Sequence, residues 1–265
     1  MIGCILIKLR PQQEIKIQGR GGEVLYNVLL DVLSRENSSL AAELCQLDEE
    51  SPLTVSPFLK EVKLSKNFCR LSPLRTSSFR ITYLQEKFLE PIMKKFLSLS
   101  SKKEPIGING GEFLVEKVDM QKSIEAGFTS YEKILSGANK EEVVILEFCT
   151  PTLLYQKKSQ VLFPLPELVF SSLLRRWNLF SGVKIDPEVE ADFNKIDIFR
   201  FRLKTEEVIF SQDKTVGFVG KVSFKLLETI EKDSRQVINA LANFARYSCL
   251  GRRIAMGMGQ VRRVE

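Results

Sequence analysis

Asn243-Phe-Ala-Arg-Tyr-Ser-Cys-Leu-Gly251-Arg252-Arg253-Ile-Ala-Met-Gly257-Met-Gly259-Gln260-Val-Arg262-Arg263 closes the chain, two residues short of its end. Apolar residues at helical spacing carry a helix to about Tyr247, a loop with three glycines and two arginines follows, and Gln260 to Val264 reads as a short basic strand. A helix returning through a loop to a strand is the last step of a βαββαβ unit, so the segments before it decide the architecture. Glycine has no Cβ, which lets main-chain N–H groups approach anionic oxygens, and arginine offers a planar fork of donors. A loop of this composition suits a phosphate backbone.

Working back from that stretch, Val143-Val-Ile-Leu-Glu-Phe148 reads as a strand and Leu165 to Phe180 as a helix opened by Pro166. Ile196 to Lys204 and Gly217 to Leu226 are two strands, and Asp233 to Tyr247 is the second helix. The first half follows the same order. Residues 2 to 9 alternate as a strand, and Gly19-Arg-Gly-Gly22 punctuates before a helix over Glu23 to Leu33, whose Val24, Leu25, Val28, Leu29, Val32 and Leu33 share one face. A short helix from Ser39 to Leu44 follows the cap-like Asn37-Ser38-Ser39. Strands near Leu53 to Lys60, Val62 to Leu71 and Phe79 to Leu84, a helix near Glu86 to Leu99 and a strand near Phe113 to Val118 complete the half. Both halves are βαββαβ, so the expected class is α+β, with tandem ferredoxin-like (RRM-like) domains and a C-terminal glycine-rich loop. The polar stretch from Gln121 to Glu142 is the expected junction, giving domains over 1–125 and 140–265.

Composition narrows the chemistry. The chain has 265 residues, 44% of them hydrophobic, and no run near the roughly 18 apolar residues of a membrane span. Met1 to Arg10 reads as a first strand rather than a signal peptide, since it lacks a basic leader and a small-residue cleavage site. Five scattered cysteines (4, 45, 69, 149 and 249) show neither CxxC spacing nor a ligand cluster, which fits a reduced cytoplasm and argues against structural zinc or a disulfide framework. A net charge of +6 favours polyanionic partners. The sequence contains no histidine, which excludes histidine-dependent triads, HExxH zinc sites and imidazole acid/base catalysis.

Several patches in order carry a family resemblance: Thr150-Pro-Thr152, Pro164-Leu-Pro166, Ser172-Leu-Leu-Arg-Arg-Trp-Asn178, Gly217-Phe-Val-Gly-Lys-Val-Ser-Phe224, Leu241-Ala-Asn-Phe-Ala245 and Gly251 through Gly257-Met-Gly-Gln260. With Leu40-Ala-Ala-Glu-Leu-Cys45 and Pro52-Leu-Thr-Val-Ser-Pro57 in the first half, the chain resembles the CRISPR-associated endoribonucleases that cut precursor CRISPR RNA within each repeat. The resemblance implies two ferredoxin-like folds and a glycine-rich loop that contacts RNA. It also implies metal-free, cofactor-free cleavage by 2′-hydroxyl attack, leaving a cyclic phosphate and a 5′-hydroxyl. The implied partners are CRISPR repeat RNA, whose 3′ handle stays bound, and other CRISPR effector subunits, with no membrane involved.

The departures fall on the catalytic positions. The family histidine of the "LH" position is Cys45 here, and the assisting tyrosine and lysine fall on Leu30 and Ser51; near the C-terminus a usual glycine is Cys249 and a usual threonine Ile254. Candidates for catalysis are therefore Cys45 as a thiol base, Tyr26 to orient a 2′-hydroxyl or stack on a base, and Arg20 to bring a guanidinium to a phosphate at the positive end of the first helix. Each has a plain alternative: a small buried apolar residue for Cys45, a core-edge tyrosine for Tyr26, an exposed turn for Arg20. Candidates for RNA contact are Arg175, Arg176, Lys221, Gly251, Arg252, Arg253, Gly257, Gly259, Gln260, Arg262 and Arg263. Arg175 and Arg176 diverge by about 100° on their helix and share no single direction, though a helix edge can present both to a wide phosphate track; the plain alternative is a solvated face. Lys60, Lys63 and Lys66 alternate poorly along their strand and read as solvent-facing. Besides a processing enzyme, the pattern admits a binding subunit that caps the 3′ handle without cutting, and a backbone subunit lining the guide.

Overall fold

The computed structural model describes residues 1–47, 50–59, 63–64, 67–121, 123 and 126–265, with only the backbone described at 63–64. Lys60, Lys66 and the side chain of Lys63 lie outside the described residues. The chain forms two compact units: residues 1–128 with 208–215 and 255–257, and residues 129–207 with 216–254 and 258–265. A single cut at the 121–142 stretch does not reproduce this division, because two short segments of the second half belong to unit 1.

In unit 1, β1 (Ile2–Pro11) is the central strand, because Ile5, Ile7 and Leu9 are fully buried and its neighbours pair on both sides. β2 (Ile15–Gln18) leads through a glycine turn to α1 (Gly22–Glu36), then α2 (Ser38–Gln46). Asn37 caps α2 by accepting from the Leu40 N–H at 3.1 Å, as its sequence position suggests. β3 (Leu53–Val55), β4 (Lys63–Leu64), β5 (Phe68–Leu71), β6 (Ser77–Tyr83), α3 (Glu86–Lys102), β7 (Pro105–Ile108), β8 (Gly111–Asp119) and β9 (Gly127–Thr129) follow. The sheet order β3-β6-β1-β8 is the ferredoxin-like order, extended by β7 at the edge and by β9 on β1, while β2, β5 and β4 form a small separate sheet. The strand expected over 53–60 is cut to three residues. Pro57 lacks an N–H, and among the described residues the chain rejoins β6 through a bridge from Leu59 to Ser78.

Unit 2 opens with α4 (Tyr131–Ser136), inside the stretch read as a junction. Its six residues show only Tyr131 and Ile134 as buried apolar positions, too few to reveal a period. Tyr131 packs edge-on against Trp177 at 5.0 Å and near Phe244 at 5.7 Å, so this helix is core rather than linker. β10 (Val143–Thr152), a hairpin of β11 (Leu154–Gln156) and β12 (Ser159–Val161), α5 (Pro166–Phe180), β13 (Ile196–Ile209), β14 (Lys214–Leu226), α6 (Lys232–Ser248) and β15 (Val261–Val264) complete it, with a 3-10 stretch over Pro187–Lys195. The order β13-β14-β10-β15 repeats the ferredoxin-like arrangement. On β10, Val144, Leu146 and Phe148 are buried, and α5 buries Val169, Phe170, Leu173, Leu174 and Trp177. Alternation on the strand therefore leaves Glu147 and Cys149 on the opposite, open side. Among the described residues no helix is long and apolar enough to cross a membrane.

Candidate nucleic-acid interface

The glycines of the C-terminal loop serve close packing of backbone on backbone. α6 ends at Cys249, whose φ of +59° turns the chain, and Gly251 and Gly259 follow at +85° and +68°. A Cβ on Gly251 would lie 2.4 Å from the Leu153 carbonyl oxygen, and one on Gly259 1.9 Å from that of Leu250. The N–H groups of Arg252, Gly259 and Met258 donate to the carbonyls of Leu153 (3.0 Å), Pro151 (3.0 Å) and Arg253 (3.3 Å). Gly257, at φ +95° within unit 1, stands against the Pro57 ring. Residues 257–260 are buried. The expectation that these amides face an anion is thus corrected for Arg252, Met258 and Gly259, whose donors are already used.

Gln260 is corrected in the same way. It is 2% exposed, its N–H donates to Thr150 Oγ1 (2.9 Å), its carbonyl accepts from the Cys149 N–H (2.7 Å), and its Nε2 lies 3.3 Å from Cys249 Sγ. Buried amides must find partners, and all of these are protein groups. Its backbone holds the loop to β10, and its side chain reaches the end of α6.

The arginines separate by helix and strand geometry. Arg175 is exposed on α5, whereas Arg176, one residue on and about 100° round, is 2% exposed and donates from Nε to Ser248 Oγ at 2.9 Å. Burial pushes the Tyr131 phenol well up, an effect that Arg176 partly offsets, so this guanidinium is an interior charge. Its assignment to RNA contact is corrected: it ties α5 to the end of α6. Arg263 pairs with Leu146 in the register of β10 and β15, which puts it on the helix side. There it donates to Asn239 (2.8 Å) and Asn243 (3.1 Å) of α6 and contacts Glu141. Arg262, one residue earlier, falls on the open side opposite Glu147, 2.7 Å from its carboxylate, and Lys221 stands 3.9 Å from the same group.

Arg252 and Arg253 are placed to meet solvent. Arg252 is exposed, and its guanidinium carbon lies 4.8 Å from the centre of the Tyr155 ring, which Gln160 engages through the hydroxyl at 3.1 Å. A planar cation over a ring keeps its fork in one orientation. Arg253 is half-buried at φ +54°. Tyr155 was not a sequence candidate, because nothing in Leu154-Tyr-Gln156 shows that a hairpin returns beside the loop.

In unit 1 the three catalytic candidates have different surroundings. Tyr26 is 7% exposed within the core cluster of α1, and Leu30 packs partly buried against that cluster. Arg20 is half-buried in the turn before α1, and its carbonyl accepts from the Phe58 N–H at 3.2 Å. Within this unit Glu23, in the first turn of α1, accepts from the Ser211 N–H (2.7 Å) and hydroxyl (2.6 Å). Cys45 is exposed on α2. The buried-residue alternative for it is therefore overturned: Leu44 faces the core, and the next residue rotates outward. Ser51 is fully buried, donating to the Leu53 carbonyl at 2.6 Å, so it holds a turn.

Thiol chemistry separates the cysteines. Cys45 and Cys149 are exposed, whereas Cys4, Cys69 and Cys249 are buried, and burial pushes the Cys69 thiol up to about 11. Iodoacetamide at pH 8 is expected to alkylate two of the five thiols in the folded protein, with peptide mass mapping assigning both to Cys45 and Cys149.

Comparison with known proteins gives a consistent picture. The profile of "CRISPR-associated endoribonuclease Cas6" matches residues 146–261. A protein of that description from Streptococcus thermophilus is 29% identical over 175 residues, which are 64% of this chain and 69% of its own. One from Mycobacterium tuberculosis is 31% identical over 121 residues, which are 44% of this chain and 37% of its own. Among solved structures, a Cas6 product complex superposes with a TM-score of 0.83 at 22% identity over the whole of both chains. Thermus thermophilus Cas6 gives 0.75 at 22% identity, over 100% of this chain and 98% of that one. A RAMP protein binding different RNA substrates gives 0.64 at 14% identity, over 99% and 100%. The structural matches carry the tandem ferredoxin-like fold.

Proposed function

Because this chain belongs to the CRISPR-associated endoribonuclease family Cas6, we propose that it binds CRISPR repeat RNA in the cytoplasm and cuts precursor CRISPR RNA. It keeps the 3′ repeat handle for delivery to a CRISPR effector complex. The observation that supports contact with RNA is the placement of Arg175 and Arg252 at the surface, with Arg253 next to Arg252 in the loop and Tyr155 fixing the Arg252 fork. Phosphate oxygens accept from such forks in charge-assisted pairs.

The proposed reaction needs no metal. The ribose 2′-oxygen attacks the adjacent phosphorus, the bond from phosphorus to the 5′-oxygen breaks, and the products are a 2′,3′-cyclic phosphate and a 5′-hydroxyl. One proton leaves the 2′-hydroxyl and one reaches the departing 5′-oxygen. Holding the 2′-oxygen in line with that bond lowers the barrier through orientation, and fixed guanidinium groups stabilise charge on the phosphorane oxygens. Arg20 is the proposed cation at the reacting phosphate and Tyr26 the proposed orienting hydroxyl. Cys45, exposed on α2, supplies the proposed base. A single 2′-deoxy substitution immediately before the scissile phosphate is expected to abolish cleavage of repeat RNA while leaving its affinity within about twofold.

A second reading rests on the family's three catalytic positions. They hold Cys45, Leu30 and Ser51, and Ser51 is buried on its own turn. In that reading the chain caps the handle without cutting, and intact repeat RNA stays bound under the same conditions.

A further inference from the structure

β13 is the outermost strand of the unit 2 sheet, so among the described residues one of its long edges faces no other strand. Its centre reads Phe199-Arg200-Phe201-Arg202. Phe199 and Phe201 are 54% and 57% exposed, more than an apolar ring needs to be on a strand with a core beside it. Alternation puts the two rings on one side of the strand, about 7 Å apart, and the two arginines, both exposed, on the other. Phe201 is held edge-on by Phe163, which precedes α5, with ring centres 5.4 Å apart at 89°. Arg202 borders β14, since a Cβ on Gly220 would fall 2.0 Å from its carbonyl oxygen, next to the exposed Lys221.

We propose that this edge is a stacking platform for single-stranded RNA. Unpaired bases rest on the Phe199 and Phe201 faces while their phosphates meet Arg200 and Arg202 around the free edge of the strand. The inference deepens the RNA-binding reading and rests on it. A flat ring accepts any base, and a neighbouring guanidinium accepts any phosphate, so interleaving the two serves a chain of nucleotides without regard to sequence. A protein partner is the competing occupant, since phenylalanine and arginine are both enriched at protein interfaces, and the sedimenting mass of the variants separates the two. Pairing of two such edges would bring the arginines of both copies together, and edge cations discourage that.

The test uses the full chain and two fluorescein-labelled 12-mers, oligoadenylate and an abasic strand with the same phosphates but no bases. Wild type is expected to bind oligoadenylate about 10- to 50-fold more tightly than the abasic strand. Phe199→Ala with Phe201→Ala removes that preference, as does Phe199→Leu with Phe201→Leu, which keeps apolar area but not the ring face. Phe199→Trp with Phe201→Trp retains it. Both side chains are replaced at sites more than half exposed, and circular dichroism confirms folding. A leucine double variant that keeps the preference overturns the platform, and so does an alanine double variant whose only change is a lower sedimenting mass, which assigns the patch to a protein contact. Wild type that binds repeat RNA but shows no preference between the 12-mers overturns the platform and leaves the processing function standing. Wild type that binds no RNA overturns both.

Discussion

Replacing Arg175, Arg252 and Arg253 together by alanine is expected to weaken binding of repeat RNA on the order of 300-fold at physiological salt, taking roughly 1–1.5 kcal/mol for each charge-assisted contact. The slope of log affinity against log salt should become shallower by about 2, since each lost phosphate contact removes roughly 0.7–0.9. These residues are chosen by position: Arg175 and Arg252 are exposed, and Arg253 follows directly in the loop. Arg263 provides the contrast. Its guanidinium is committed to Asn239, Asn243 and Glu141, so Arg263→Ala should lower thermal stability and leave the salt slope unchanged. Fluorescence anisotropy titrations at several salt concentrations measure both quantities. A triple variant with the wild-type slope would show that RNA binds elsewhere.

Gly259→Ala should destabilise unit 2 by about 4 kcal/mol, at the upper end for a single methyl group. Two costs combine. The new Cβ meets the Leu250 carbonyl oxygen at 1.9 Å, and the backbone sits at φ +68°, which a side chain disfavours. Relief by movement of the loop would break the bonds from Leu250 to Gly259 (2.8 Å) and from Gly259 to Pro151 (3.0 Å), which join it to the end of α6 and to β10. Gly182→Ala is the control, because a Cβ there has nothing within 4 Å, and its effect should stay within about 0.5 kcal/mol. Calorimetry should register Gly259→Ala as a fall of about 10 °C in the unit 2 transition. Equal melting of the two variants would mean that the loop is open, with its amides facing solvent.

The fold was legible where burial imposes a period. Pro166 followed by Val169, Phe170, Leu173, Leu174 and Trp177 announced α5, and the α6 pattern and the Ile5, Ile7, Leu9 alternation were as plain. Tyr131–Ser136 was not, because a helix of six residues shows only two buried apolar positions, and its packing partners Trp177 and Phe244 lie far off in sequence. The loop composition was read correctly as needing backbone approach, but sequence does not say what approaches. The groups beside Gly251 and Gly259 are carbonyls of Leu153 and Leu250. The arginine pairs show the same limit. Adjacent residues diverge on α5 and alternate on β15, so Arg176 and Arg263 turn inward while Arg175 and Arg262 do not, and one step of register decides between structure and surface. Cys45 is the converse case, since free cysteine is commonly interior and here the helix turns it out.

The most direct measurement is the mass of the RNA ends after incubation of the purified protein with its own repeat RNA in excess chelator. The proposed chemistry gives an upstream fragment ending in a 2′,3′-cyclic phosphate and a downstream fragment beginning with a 5′-hydroxyl. Intact RNA recovered from a stable complex, or fragments that appear only when a divalent cation is restored, would contradict it.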